Sequence, residues 1–239
     1  MAKDSEERNF EADLSALETI LGYTFFNKVH LITAITHRSY LNEHREATQD
    51  HNERLEFLGD AVLELVVTDY LFRTYPEKPE GELTAIRAAL VNTISLAEAS
   101  LQLGVNDYLL MSKGEARDTG RARQYILANV FEAFVGALYL DQGYDASKTF
   151  IAKHLFPKTD EIVEKRLWQD SKSRFQEMAQ EHANVTPTYE TLSQQGPDHD
   201  RVCTVGVFLG KQKVAEGQGR SKQEAEQAAA VKAVQAKNW

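Results

Sequence analysis

A chain of 239 residues, 42% hydrophobic and 26% charged, is long enough to bury a core in one large domain and a smaller one. A single cysteine, Cys203, excludes an intramolecular disulfide and is read as a small core residue in a strand; a polar, acidic start and the lack of any long apolar stretch set aside secretion and membrane insertion, so a cytoplasmic protein is expected. The net charge of −9 argues against a polyanionic partner until its distribution is read: residues 1–170 carry 18 Lys/Arg against 28 Asp/Glu, residues 171–239 nine against eight.

From residue 13 to about 156 apolar residues recur at helical spacing, predicting helices over 13–22, 28–36, 52–75, 80–103, 122–142 and 144–156, punctuated by Pro76, Pro79, Gly104 and Gly143. In the third of these, Glu53, Glu56 and Asp60 stand at i, i+3 and i+7. That spacing puts three carboxylates on one face, while Leu55, Leu58, Val62 and Leu63 fall largely elsewhere. Like charges so close repel one another, no lysine is interleaved, and a divalent cation is their natural companion. In the helix over 122–142, Asn129 and Glu132 lie among apolar and small residues, and a buried carboxylate must be paired, protonated or metal-bound. If the two helices pack together, oxygens of Glu56, Asp60, Asn129 and Glu132 can converge on one Mg²⁺, a hard ion suited to oxygen ligands. The alternative is that Glu53 and Glu56 are ordinary surface residues and Glu132 is salt-bridged, for instance to Arg54 or Arg87.

After Trp168 the texture changes. Residues 171–182 read as a short amphipathic helix with Phe175, Met178 and Ala179 inward. Residues 189–193, 201–209 and 213–217 then alternate like strands, joined by turns at Gly196-Pro197-Asp198 and Gly210-Lys211. Ser221 with Glu224 three residues on reads as a capping box opening an alanine-rich helix to about Lys237. The order α-β-β-β-α marks a separate small domain.

The run HNERLEFLGD at residues 51–60 resembles the signature of the ribonuclease III family. The resemblance extends to THRSY at 36–40, EGELT at 80–84, RAALV at 87–91, KGE at 113–115 and ILANVFEA at 126–133. The closing segment resembles a double-stranded-RNA-binding domain. Together the resemblances cover essentially the whole chain. They imply an α+β multidomain protein, with an all-α endonuclease domain over 1–158, a linker over 159–170 and the RNA-binding domain over 171–239.

Carried over by resemblance, Glu56, Asp60 and Glu132 are metal ligands with Asn129 at the fourth position. Glu53, Glu80 and Glu115 match acidic positions that assist the site or its water, so that the catalytic set is Glu53, Asp60, Glu132, Glu80 and Glu115. Phe57 matches an aromatic that plugs into a partner subunit, which implies a homodimer; the alternative is an ordinary core phenylalanine. Residues 36–40 are read as mainly structural, with His37 and Arg38 as candidate interface or substrate contacts. The resemblance implies Mg²⁺, with Mn²⁺ as a substitute, and neither a small-molecule cofactor nor a membrane partner. The implied reaction is hydrolysis of double-stranded RNA to 5′-phosphate and 3′-hydroxyl ends with short 3′ overhangs, in rRNA and mRNA processing and decay. Position 129 is often Asp in bacterial members; Asn leaves three formal negatives in the set rather than four, which should raise the Mg²⁺ requirement. This departure favours a second reading, an RNA-binding protein whose nuclease domain is inactive.

For the small domain the resemblance assigns minor-groove contacts to Ser173, Gln176, Glu177 and Gln180 on the first helix and to His199 in a loop near Arg201. Arg220, Ser221 and Lys222 would meet phosphate at the start of the last helix, where backbone N–H groups and the helix dipole add to the cationic charge. The family usually has further basic residues where Gln223 and Glu224 stand, so modest affinity and strong salt sensitivity are expected.

Overall fold

The carboxylate-bearing stretches become two helices of 22 residues each, α4 (Glu53–Thr74) and α8 (Arg121–Gln142), and the first unit is built around them. The computed structural model describes residues 10–47, 49–196 and 201–238, and divides into units 1–165 and 166–239. Before α4 come α1 (Phe10–Leu21), α2 (Lys28–Ile35) and α3 (Arg38–Glu43); α5 (Glu80–Leu90), α6 (Thr93–Leu103) and α7 (Lys113–Arg117) follow it, and α9 (Tyr144–Leu155) and α10 (Thr159–Glu164) follow α8. Side-chain oxygens open several of them: Asn27 accepts from the Val29 N–H at 3.0 Å and Asn92 from Ser95 at 2.9 Å.

Asn92 explains one correction. The stretch 80–103 reads as a single helix by apolar period, yet its chain turns extended at Asn92 (φ −71°, ψ 161°) and restarts as α6. The amide that caps α6 also breaks the continuity, as Asn at a helix start does. Gly104 closes α6 in the left-handed region, with φ 76°. The short helices α3, α7 and α10 carry too few turns to show a period. Within the stretch expected as linker, Thr159–Glu164 is helical and packs against α5.

Helix α8 is buried almost all round through Ile126, Leu127, Val130, Phe131, Phe134, Val135 and Leu138. A helix apolar on every face belongs in the middle, and α8 packs against α2, α4, α6 and α9. Two glycines set how closely α4 approaches it. A Cβ at Gly59 would lie 1.8 Å from the Glu132 carbonyl oxygen, and one at Gly136 would lie 2.2 Å from that of Leu55. The two backbones therefore touch, each through a glycine of its own.

The second unit has the order read from the sequence: α11 (Ser171–Ala183), β1 (Thr188–Gln195), β2 (Val202–Leu209), β3 (Gln212–Gly219) and α12 (Lys222–Lys237). Its antiparallel sheet runs β1-β2-β3, with a register shift between Thr191 and Ser193. Phe175 and Ala179 of α11, Cys203, Val205 and Val207 of β2, and Ala225, Ala229, Ala230 and Ala233 of α12 form its core. Cys203 is buried and free, as a small core residue would be. Ser221 caps α12 by accepting from the Glu224 N–H at 3.1 Å, while the Glu224 carboxylate accepts from the Arg220 N–H at 2.9 Å. The turn expected at Gly196-Pro197-Asp198 runs beyond the described residues after Gly196. The chain is thus an α+β protein, a helical unit followed by a small α-β-β-β-α unit.

Candidate active site

Asn52 sets the start of α4 and hence the register of its carboxylates. It is buried, its N–H donates to the Thr36 carbonyl at 2.9 Å, and its carbonyl accepts from the Glu56 N–H at 2.9 Å. The Thr36–His37 strand segment is itself held by Leu110, whose carbonyl accepts from the His37 N–H at 2.8 Å. Two stretches singled out in the sequence, 36–40 and 51–60, thus share one scaffold.

The glycine-mediated contact of α4 with α8 sets Glu56 beside Asn129 and brings Glu132 under the influence of Asp60 and Glu56. The half-buried Glu56 carboxyl is raised by burial and then by the charges of Glu53 and Asp60, while a hydrogen bond from Asn129 lowers it again. The effect is larger at Glu132, whose pKa is pushed up to about 8 by burial and then by Asp60 and Glu56. No cation stands among these causes. Of the two arginines considered as partners for Glu132, Arg87 pairs instead with Glu64 at 2.8 Å and donates to Thr68 at 2.9 Å.

Among the described residues, no three His, Cys, Asp or Glu side chains are already gathered at metal-ligand spacing. The residues nevertheless fit a divalent cation. Three carboxylates destabilise one another across a contact that the backbones hold fixed, and a cation on their oxygens is the charge that would relieve this. The amide oxygen of Asn129 is a ligand type that Mg²⁺ accepts once its N–H group serves Glu56.

The outer acidic positions fall in two places. Glu53 begins α4 with Arg38 at 3.5 Å, and Glu115 lies in α7, whose Ser112 cap accepts from the Glu115 N–H at 3.3 Å. Both carboxylates act on His37, whose pKa burial nevertheless holds below its usual value; Arg38 and His51 push in the same direction as burial. His37 and Ser39 are 2.7 Å apart, and the Ser39 hydroxyl accepts from the Ser112 N–H at 3.0 Å. The THRSY segment therefore braces Glu53 and Glu115. Glu80 instead opens α5, accepts from the Thr84 hydroxyl at 3.0 Å, and lines a different hollow of about 410 Å³.

Phe57 is 82% exposed, which removes the reading of a core phenylalanine. With Leu65 (58%) and Phe72 (71%) it forms an apolar stripe along α4, beside the carboxylates. The 410 Å³ hollow, walled by Leu71, Phe72, Leu83 and Arg87, opens at the end of this stripe.

Two features were missed from the sequence. The first is the glycine pair, whose signal was a glycine interrupting each of two apolar helical patterns. The second is Arg123, whose guanidinium donates to the carbonyls of Glu115, Ala116 and Asp118 at 3.0–3.1 Å. It folds α7 back on the start of α8.

In the second unit Ser173, Gln176, Glu177 and Gln180 are exposed and share one face of α11. Gln169 donates to Glu177 at 2.6 Å and Gln180 to Asn184 at 2.7 Å. Arg201 and Arg220 are exposed, Ser221 caps α12, and Lys222 stands 3.8 Å from Glu226, which also holds Lys172 at 2.6 Å. His199 lies outside the described residues.

Comparison with known proteins places both units. The Ribonuclease-III-like family model matches residues 27–159 and the double-stranded RNA binding motif matches residues 171–237. Ribonuclease 3 of Carboxydothermus hydrogenoformans is 45% identical over 223 residues, 93% of this chain and 95% of its own length. That of Geobacillus kaustophilus is 47% identical over 224 residues, 94% and 91% of the two lengths. A solved nuclease domain of ribonuclease III from Campylobacter jejuni, described for flexibility in a region involved in dimer formation, is 42% identical. It superposes with a TM-score of 0.54, covering 60% of this chain and 99% of that one.

Proposed function

This chain belongs to the ribonuclease III family of double-stranded-RNA endonucleases, and from that premise we propose that Glu56, Asp60, Asn129 and Glu132 bind Mg²⁺ and that hydrolysis of the duplex takes place there. The observation that carries the proposal is the raised pKa of Glu132, caused by burial and by Asp60 and Glu56, in the mostly apolar middle of α8. When bound, Mg²⁺, or Mn²⁺ in its place, would acidify water and offset charge on the phosphodiester oxygens.

The protein's own part is positional. The α4–α8 contact positions the two pairs of side chains, Asn129 orients the Glu56 carboxylate, and Glu53 and Glu115, whose charges both act on His37, would hold the surrounding water. Glu80, at the start of α5, is the third acidic position assigned to assist the site or its water. The products are 5′-phosphate and 3′-hydroxyl ends with short 3′ overhangs, and the role is rRNA and mRNA processing and decay in the cytoplasm. Among the described residues no helix is long and apolar enough to cross a membrane.

A homodimer is part of the same proposal. Phe57, Leu65 and Phe72 leave apolar area in water along α4, and Phe57 of one copy fits the hollow beside Phe72 in the other. Because the carboxylates border that stripe, pairing sets two sites on either side of one interface, each cutting one strand. In the second unit, the exposed face of α11 suits 2′-hydroxyls and the start of α12 suits phosphate; His199 and Arg201 add a second minor-groove contact.

The test is cleavage of a perfect RNA duplex in Mg²⁺ and then in EDTA, with the product ends identified. Duplex binding without cleavage at every Mg²⁺ concentration would sink the proposal and leave only the RNA-binding reading that Asn129 suggested.

A further inference from the structure

The face of α8 that carries Asn129 and Glu132 continues toward the N-terminus of the helix through Tyr125 and Arg121. Arg121, Tyr125, Asn129 and Glu132 stand at i, i+4, i+8 and i+11, which all fall within about a quarter of the helix circumference. At ~1.5 Å per residue, Tyr125 lies ~10 Å and Arg121 ~16 Å along the axis from Glu132. Both are exposed, Tyr125 by 47%, whereas Asn129 and Glu132 farther along are half-buried.

The two side chains are neighbours. The Arg121 guanidinium carbon lies 5.9 Å from the centre of the Tyr125 ring, and an Arg121 N–H group donates to the Tyr125 hydroxyl at 3.5 Å. A guanidinium laid over an aromatic ring is attracted to the face of the π-system, so it gives up less freedom when it takes a phosphate. Just before them the chain is fixed by Arg123, which spends its own donors on the carbonyls of Glu115, Ala116 and Asp118.

Charge points the same way. Residues 113–123 hold Lys113, Arg117, Arg121 and Arg123 against Glu115 and Asp118, a basic island in a unit that is strongly acidic elsewhere. An acidic nuclease must draw its polyanionic substrate against its own field, and an arginine fork on the ligand-bearing helix supplies that attraction where the strand passes.

We infer that Arg121 and Tyr125 form a strand-holding subsite of the nuclease unit, in which the guanidinium takes a backbone phosphate and the phenol a neighbouring 2′-hydroxyl, a few nucleotides from the bond that is cut. The subsite rests on the metal-site reading of Asn129 and Glu132. It is a positioning site, and neither residue touches the reacting atoms.

The experiment uses the full chain with a duplex RNA, steady-state cleavage in saturating Mg²⁺, and the salt dependence of KM. Arg121→Ala should raise KM about 3- to 10-fold with kcat within about twofold, and should lessen the salt slope by roughly one phosphate contact. Tyr125→Phe, which keeps the ring beneath the guanidinium, should raise KM less than Tyr125→Ala. Lys153→Ala on α9 removes the same charge elsewhere and serves as the comparison. An unchanged KM and salt slope in Arg121→Ala overturns the subsite, as does an equal rise in Lys153→Ala, which would mark general attraction only. Glu132→Gln, assayed beside them, separates the two ideas: if it cleaves like the parent, the metal reading fails; if it is inactive while Arg121→Ala is unchanged, only the subsite fails.

Discussion

Replacing Gly59 by alanine tests the central geometric claim, that backbone contact between α4 and α8 holds the carboxylates together. The new Cβ would sit 1.8 Å from the Glu132 carbonyl oxygen, 2.7 Å from its carbon and 2.9 Å from the Gly136 nitrogen, all under the 3.0 Å that Cβ atoms respect. Every obstructing atom is backbone, so no side chain can swing aside, and the helices must part by roughly 1.2 Å at that point. Overpacking of this kind costs about 1–3 kcal/mol, or more where backbone is displaced, and the ~1 kcal/mol gained from the better helix propensity of alanine offsets only part. A net loss of about 2 kcal/mol corresponds to a fall in Tm of about 4–8 °C for a unit of this size. Calorimetry on the metal-free protein measures it, with Gly81→Ala as the counterpart. Gly81 has no atom within 4 Å of its would-be Cβ, and its replacement should leave Tm equal or raise it slightly. Since the clash falls on Glu132 itself, Gly59→Ala should also lose most Mg²⁺-dependent cleavage. A Tm within about 1 °C of the parent together with full cleavage would refute the argument, because glycine would then not be what sets the helix spacing.

Three further outcomes are expected. Asn129→Asp removes the amide donor to Glu56 and adds a fourth negative charge, so half-maximal cleavage should need about 3- to 10-fold less Mg²⁺; a titration curve no better than the parent's contradicts it. Glu132, with a folded-state pKa of about 8 against 4.5, keeps its proton in the folded chain while the unfolded chain has lost it. In the absence of metal, its contribution to stability is therefore full below pH 4.5 and is lost as pH rises toward 8. Urea unfolding across that window should show stability falling with pH, a slope that Glu132→Gln flattens and that Mg²⁺ offsets at the upper end; an identical slope in the variant would discount the shift. Phe57→Ala removes the most exposed side chain of the α4 stripe, so the dimer should weaken by about tenfold or more in sedimentation experiments while each copy folds normally.

The sequence showed the two carboxylate-bearing helices because each combines a long apolar period with acidic residues that the period does not need. It showed the second unit because strand alternation, the Gly210 turn and the Ser221 cap are local signals. The break at Asn92 was hidden because an amide that caps a helix is compatible with the apolar pattern on either side of it. What joins Glu56 to Glu132 was hidden for a different reason: it depends on Gly59 and Gly136 facing each other across some seventy-six residues of chain, and one glycine does not name its counterpart. The convergence of Glu53 and Glu115 on His37 is likewise tertiary, assembled from three segments. The identities of the acidic residues were legible, and their mutual distances were not.

The Arg123 clasp ties these scales together. Because one guanidinium grips the carbonyls of Glu115, Ala116 and Asp118 and belongs to the same helix as Asn129 and Glu132, the segment bearing the outer carboxylate rides on the helix that bears Glu132. A load on the front of that helix would therefore move Glu115, Asn129 and Glu132 together as one lever, without the turn in between absorbing it.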